Sequence, residues 1–298
     1  MFKIRKAVIP VAGFGTRFLP ATIAQPKEML PIVDKPVIQY IVEELIKSGI
    51  KEIIFVTGRN KRAIEDHFDY PLELESLLEE KGKEKLLAEI KRISSLVKFV
   101  YVRQHKPLGN GHALLCAKEI VGDEPFAFCY GDDVIDSKIP ATLQLIKAYE
   151  KYRDLIMGVV EVPPEKVSSY GIVKPRGSVK ISDVEKLGKV FEITGVVEKP
   201  DISEAPSFFA NPGRYIFNPD IFEYLEKTKP GKGGEIWIAD AVEKVFKDKA
   251  VYACKIDGTY FDCGNKLEYL KANVHYALKR KDLKEDFGKY LKGLRFKS

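Results

Sequence analysis

Three short stretches gather residues that can handle phosphate. The first is Ala12-Gly13-Phe14-Gly15-Thr16-Arg17-Phe18-Leu19-Pro20, followed closely by Pro26-Lys27-Glu28-Met29-Leu30-Pro31. Glycines at the C-terminal end of a strand let backbone N–H groups approach phosphate oxygens, and Arg17 and Lys27 add mobile positive charge. A triphosphate could lie there, although a GxG pair on its own equally describes a tight turn. The second stretch, Gly131-Asp132-Asp133, ends an apolar run. A carboxylate at that edge of an α/β sheet can hold Mg²⁺ against phosphate oxygens, or it can shape a turn. The third, Glu198-Lys199-Pro200, stands at another strand end. In isolation such a pair is most often a solvent-exposed ion pair.

Other polar residues allow two readings each. Gln104 can pair with a base edge through both amide atoms, or it is a strand-end polar residue. His112 reads as a helix-start residue, because transfer between phosphates needs no acid or base. Asp262, between Tyr260-Phe261 and Cys263-Gly264-Asn265, reads as the N-cap of a following helix. Two familiar phosphate patterns fail. Phe18 stands where a dinucleotide fingerprint needs a small third residue, and Asp34 precedes a helix instead of ending a second strand. No GxxxxGK[ST] occurs, which excludes a P-loop.

The elements that must position these residues follow from hydrophobic periodicity. Strands are expected at Ala7 to Ala12, Glu52 to Thr57, Phe99 to Arg103 and Phe126 to Tyr130, and helices at Val37 to Lys47 and near Ala113 to Ile120. Strand, loop, helix, strand is the pattern of a parallel α/β sheet, and nearly continuous apolar strands imply helices on both faces. Lys61 to Ser95 reads as a helical insertion whose buried stripe is Leu72, Leu77, Leu78, Leu86, Leu87 and Ile90. After a helix around Leu143 to Tyr152 the chain turns β-rich, at Ile156 to Val162, Gly171 to Lys174, Val190 to Glu198 and Phe208 to Phe217. The expected organisation is one catalytic unit over 1–276, with an insertion at about 61–95 and a β-rich part at about 155–218, then a basic helical extension over 277–298.

Composition sets the outer bounds. The chain has 298 residues, 45% hydrophobic and 31% charged, with 22 Gly and 17 Pro, which excludes collagen-like, low-complexity and disordered chains. Of its formal charge of +6, a surplus of five falls after Tyr276, where eight basic residues from Lys279 to Lys297 face Asp282, Glu285 and Asp286. The nearly neutral body argues against nucleic acid. The tail is expected to be a solvated helix with Leu283, Phe287, Tyr290, Leu291 and Leu294 packed inward and a part in homo-oligomer formation, as dimer or tetramer. The longest uncharged stretch near the N-terminus, Ala7 to Thr16, is broken by Pro10 and two glycines and is too short to cross a membrane. Cys116, Cys129, Cys254 and Cys263 form no CxxC pair and have no ligand spacing with the four histidines, so a cytoplasmic protein without zinc or disulfides is expected.

The glycine loop from Ala12 to Pro20 and the Pro26 to Pro31 segment do not stand alone. With Val33-Asp34-Lys35-Pro36, Val102-Arg103-Gln104, Gly109-Asn110-Gly111-His112-Ala113, Gly131-Asp132-Asp133, Tyr170-Gly171, Val197-Glu198-Lys199-Pro200, Gly213-Arg214-Tyr215 and Asp262-Cys263-Gly264-Asn265, they run in order from about Ala7 to Tyr276. The series resembles the sugar-1-phosphate nucleotidylyltransferases, in particular their bacterial-type UTP–glucose-1-phosphate uridylyltransferase branch. The resemblance implies a Rossmann-like, mixed but mainly parallel sheet of the glycosyltransferase-A kind, with a β-rich sugar-binding subregion and C-terminal helices. It implies transfer of UMP from UTP to glucose 1-phosphate, giving UDP-glucose and pyrophosphate with Mg²⁺. By the same resemblance Arg17, Lys27, Asp132 and Lys199 are catalytic, and Asp132 and Asp262 hold the metal. Ala12, Gly13, Gly15, Thr16, Arg17, Lys27, Glu28, Gln104, Gly109, Asp132 and Asp133 bind nucleotide, Gln104 at the uracil. Tyr170, Gly171, Glu198, Lys199, Gly213 and Arg214 bind the sugar phosphate. Leu108 and Asn110 depart from the usual pattern beside the base pocket and leave thymidylyl or cytidylyl transfer as alternatives. A non-catalytic nucleotide-sugar-binding paralogue is the rival of another class, and it has no need of the metal pair.

Overall fold

The computed structural model describes residues 3–177 and 188–295. The first strand, β1 (Lys6–Pro10), alternates between two cores: Ala7 and Ile9 point into one, Val8 into the other, and none has any exposure. Two-sided burial is why this segment reads as an unbroken apolar run. The hairpin β2 (Pro31–Ile32) and β3 (Lys35–Pro36) leads into α1 (Val37–Lys47). That helix buries Val37, Ile38, Ile41, Val42 and Leu45 at helical spacing and ends at Ser48, before Gly49 in the left-handed region. Strands β4 (Glu52–Thr57) and β5 (Lys98–Arg103) extend the sheet outward, each parallel to its neighbour.

Between them lie α2 (Arg62–Phe68), α3 (Leu72–Glu80) and α4 (Glu84–Ser94). The expected stripe on this insertion is not buried: Leu72 is 67% and Leu86 57% exposed, Leu77 is exposed, and Leu78, Leu87 and Ile90 are only half-covered. α3 and α4 pack mainly on each other, and only Ile93 and Ser94 at the end of α4 are buried.

The chain continues through α5 (Asn110–Cys116), α6 (Lys118–Val121), β6 (Phe126–Cys129), β7 (Asp133–Asp136), α7 (Ala141–Tyr152), β8 (Leu155–Glu161), β9 (Gly171–Pro175) and β10 (Val190–Glu198). It ends with β11 (Phe209–Ala210), β12 (Arg214–Phe217), α8 (Ile221–Glu226), α9 (Ile238–Asp248), β13 (Val251–Lys255), β14 (Thr259–Asp262), α10 (Lys266–Lys279) and α11 (Lys284–Gly293). Ten strands form one mixed sheet in the order β11-β9-β10-β13-β8-β12-β6-β1-β4-β5. The parallel run β6-β1-β4-β5 makes one half, and β12 joins it antiparallel to the other half, which is antiparallel except for the β13–β8 pair. Helices α1 and α7 cover one face, and α5, α8 and α9 the other. In α11 no residue is fully buried; Leu283, Phe287 and Leu291 are half-covered, while Tyr290 and Leu294 face solvent, against the expected inward stripe.

Candidate active site

The cleft opens at the C-terminal ends of β1 and β6, where an α/β sheet offers its loops to ligands. Ala12, Gly13, Gly15, Thr16 and Arg17 lie in the loop after β1; Gly13, Thr16 and Arg17 are exposed, and Thr22 Oγ1 donates to the Gly15 carbonyl at 2.8 Å. Lys27 reaches over to Asp132, with Nζ 2.6 Å from Oδ2. Burial works against the Lys27 charge, yet Asp132 and Glu28 outweigh it and hold the ammonium well above its usual range. Burial likewise opposes the Asp132 carboxylate, but Lys27 and Arg17 pull it below its ordinary value.

The strand pairing delivers the second carboxylate. β14 runs antiparallel to β7 with Asp262 opposite Asp133, so two acids distant in sequence become neighbours. Gly264 lies where they converge. A Cβ there would sit closer to Asp132 Oδ2 than real contacts allow, 3.0 Å from Asp262 Oδ1 and 3.3 Å from an Arg17 Nη. Asp262 Oδ1 accepts from Gly264 N at 2.9 Å, and the cap of α10 is instead Asn265, whose Oδ1 accepts from Leu267 N and Glu268 N. The expected N-cap role therefore moves three residues on. Burial and the nearby Asp132 raise the Asp262 carboxyl. Burial, Asp132 and Asp262 also push Asp133 well above the carboxylate range, and Tyr260 O–H donates to its Oδ1 at 2.6 Å. Two converging carboxylates offer oxygen ligands that suit a hard divalent cation, and Lys27 and Arg17 lie against the same pair. Mg²⁺ is commonly held by one or two carboxylates and completes its shell with phosphate oxygens and water; among the described residues no group of three His, Cys, Asp or Glu side chains gathers.

The residues expected on the sugar side meet along β9 and β10. Glu198 lies opposite Gly171, and a Cβ on Gly171 would come 3.0 Å from Glu198 Oε2. Lys199 takes a left-handed backbone, φ 48°, and donates its N–H to the Tyr170 carbonyl, which turns an exposed side chain away from the strand. The Tyr170 ring meets Tyr260 edge-on at 6.2 Å, linking this side to Asp133. Gly213 lies under the Tyr130 ring, at a spot that any side chain would fill.

Two expected ligands are not in the cleft. Arg214 is 1% exposed; it donates to the Asp133 carbonyl at 2.7 Å and the Tyr130 carbonyl at 3.4 Å, and pairs with Glu44 at 3.4 Å. It braces the loop that carries Asp132 from behind instead of touching sugar phosphate. Glu28, 1% exposed, is sealed in an ion pair with Lys61 at 3.0 Å beneath Lys27, and burial raises its carboxyl although Lys61 and Lys27 oppose it. At the base end, Gln104 Nε2 donates to the Gly109 carbonyl and to His112 Nδ1, each at 3.0 Å. The amide nitrogen is thus consumed, and pairing through both amide atoms is lost. Asn110 ties Tyr130 O–H to the first amide of α9, and Leu108 accepts from Ile236 N. A half-open cavity of about 400 Å³ lies behind β7, and most of the charges along it pair with one another: Lys35 with Glu43, Lys279 with Asp136, Arg280 with Asp34, and Arg214 with Glu44.

Sequence reasoning missed Lys61, Glu44 and Tyr260. Nothing in their surroundings marks them, because each acts through a partner brought close by the fold. The cleft's own residues coincide with a family pattern: residues 6–279 match the description "Nucleotidyl transferase". The UTP–glucose-1-phosphate uridylyltransferase of Bacillus subtilis (strain 168) is 48% identical over 294 residues, covering 99% of this chain and 98% of that protein. A solved UTP-bound UGPase from Acinetobacter baumannii is 41% identical with a TM-score of 0.88, over 98% of this chain and all of that one. A UDP-glucose pyrophosphorylase complexed with UDP-glucose is 43% identical with a TM-score of 0.82, over 93% of this chain and 100% of that one. The matches run from β1 through α10, every element that builds the cleft, and on that ground the chain belongs to the nucleotidyl transferase family.

Proposed function

We propose that the protein is a UTP–glucose-1-phosphate uridylyltransferase, moving UMP from UTP to glucose 1-phosphate with release of pyrophosphate. One observation carries the reading: Asp132, Asp262, Arg17 and Lys27 converge around Gly264 at the open end of the parallel strands. A phosphate oxygen of glucose 1-phosphate attacks the α-phosphorus of UTP, the bond to the β-phosphate oxygen breaks, and pyrophosphate leaves with that electron pair. The nucleophile is already an anion at neutral pH, so no protein base is required. Repulsion between polyanions and their alignment set the barrier.

Arg17 and Lys27 hold the β- and γ-phosphates over the glycine loop, and Lys199 steers the incoming phosphate. Glu198 accepts from sugar hydroxyls beside Tyr170, Gly171 and Gly213, and Gln104 faces the uracil. Asp132 and Asp262 would hold Mg²⁺, whose charge would offset that of the phosphates. Asp133 and Glu28 act beneath the site by shaping it. The four cysteines are free thiols, in keeping with a cytoplasmic setting, and among the described residues no helix is long and apolar enough to cross a membrane. A homo-oligomer, dimer or tetramer, is supported by exposed Leu267, Leu270 and Val274 along α10 and Tyr290 on α11; sedimentation equilibrium reads the mass directly.

The test is pyrophosphate release with glucose 1-phosphate and each of UTP, dTTP and CTP. Fastest turnover with UTP is expected. A preference for dTTP or CTP would move the protein to the thymidylyl or cytidylyl alternative, and no release with any of them would leave a nucleotide-sugar-binding protein.

A further inference from the structure

The base end of the cleft contains a hydrogen-bond arrangement with only one consistent assignment. The Gly109 carbonyl can only accept, so the Gln104 atom 3.0 Å from it is the amide nitrogen, not the oxygen. That nitrogen has two hydrogens, and the second points at His112 Nδ1, also at 3.0 Å. Nδ1 must then offer its lone pair, toward which the Cys116 thiol 3.9 Å away can also donate, and this puts the imidazole proton on Nε2. Burial lowers the His112 pKa and so favours that neutral ring. Both amide hydrogens are spent, and Oε1, which has no hydrogen-bond partner among the described residues, is the atom of this amide left to read a base.

A lone acceptor discriminates. Uracil and thymine both present an N–H donor at N3, between two carbonyl acceptors. Cytosine presents a lone pair at N3, and its donor on that edge is the exocyclic amine one position away. An amide held by the Gly109 carbonyl alone turns over more easily than one held at two points, and once turned Gln104 would offer a donor to cytosine in place of an acceptor to uracil.

We infer that His112 is a specificity-positioning residue: accepting from Gln104 Nε2, it locks the amide so that the site admits uracil-type bases and rejects cytosine. The inference rests on the reading that Gln104 faces the nucleobase. It also separates two choices, because the lock is blind to the thymine methyl group and selection between UTP and dTTP has to come from other contacts.

The experiment uses the full chain and measures kcat/KM for UTP, dTTP and CTP with glucose 1-phosphate in the wild type, His112→Leu and His112→Asn. Calorimetric Kd values for UTP and CTP accompany the rates. The UTP/CTP ratio should fall roughly 10- to 100-fold in His112→Leu, as the amide loses one of the two acceptors that hold it and turns over more readily against the Gly109 carbonyl alone. The UTP/dTTP ratio should stay within about 2-fold. His112→Asn, whose Oδ1 can accept where Nδ1 did, should recover much of the UTP/CTP ratio. Should His112→Leu fail to fold, His112→Ala carries the same comparison. An unchanged UTP/CTP ratio in the folded variant overturns the inference, as does a parallel loss with all three nucleotides. A wild type that turns over UTP and CTP equally also overturns it while leaving the transferase reading intact. A wild type with no turnover that still binds UTP much more tightly than CTP, with the preference lost in His112→Leu, sinks the transferase reading and keeps the lock.

Discussion

Replacing Gly264 by alanine tests the proposed centre with a single methyl group. Its backbone lies outside the left-handed region, so alanine brings no conformational strain and acts only through the space it fills. The new Cβ would overlap Asp132 Oδ2 and press on Asp262 Oδ1 at 3.0 Å. Asp132 has little freedom, being buried and hydrogen-bonded to Lys27 at 2.6 Å. Turning it away forfeits a charge-assisted bond worth about 1.5–3 kcal/mol. A displacement near 1 Å in a positioning group lowers turnover by about 10²-fold, or roughly 2.7 kcal/mol of barrier. Coupled pyrophosphate detection at saturating UTP and glucose 1-phosphate reads that loss. Thermal unfolding should fall by less than about 10 °C, leaving the protein folded at assay temperature. Gly293→Ala, where nothing lies within 4 Å, is the matched control and should leave both readouts unchanged. Turnover of Gly264→Ala within about threefold of wild type would show that Asp132 and Asp262 need not converge for catalysis.

Lys199→Ala should cut turnover by roughly 10²-fold or more while leaving the UTP Kd nearly unchanged, if it steers the incoming sugar phosphate as proposed from its place after β10 beside Tyr170; titration calorimetry showing lost UTP affinity would place Lys199 with the nucleotide. Arg214→Met strands the Glu44 charge and two loop carbonyls, and should destabilise by more than about 3 kcal/mol in urea unfolding, with Glu44→Gln restoring part of the loss in the double variant. Lys61→Met leaves Glu28 as an uncompensated buried carboxyl and should cost about 3–5 kcal/mol at pH 7. A carboxyl with a raised folded pKa keeps its proton more firmly when folded. The penalty should therefore vanish at acid pH and grow as pH rises above about 4.3, which unfolding at pH 5 and 7 compares.

The parallel half of the fold was legible because its strands and α1 are buried on a regular period: Glu52–Thr57 and Val37–Lys47 lie where periodicity puts them. Periodicity also misled. Leucines on α3 and α4 repeat as a buried stripe would, yet these short helices lean on each other and leave Leu72 and Leu86 in solvent. In the site, the motifs carried by glycines and strand-end acids could be picked out, since such residues at a strand end have a local physical meaning. Arg214 is expected as a ligand only through the family resemblance, but which way a strand residue points depends on register, and here it points inward to Glu44. The Glu28–Lys61 and Gln104–His112 pairs depend on distances that no local pattern records.

The β7–β14 ribbon ties the appearance of the cleft to the order of synthesis. The glycine loop, Lys27 and Asp132 all precede Asp262 by a long stretch of chain, and among the described residues β7 pairs with β14 alone. At about 5–20 residues per second, the roughly 130 residues between the two acids take on the order of 6–26 s to emerge. Throughout that interval β7 has an open edge, available to another chain. A nascent chain therefore acquires its phosphate loop early and its second acid late, and it is least protected while most of its sheet is already made.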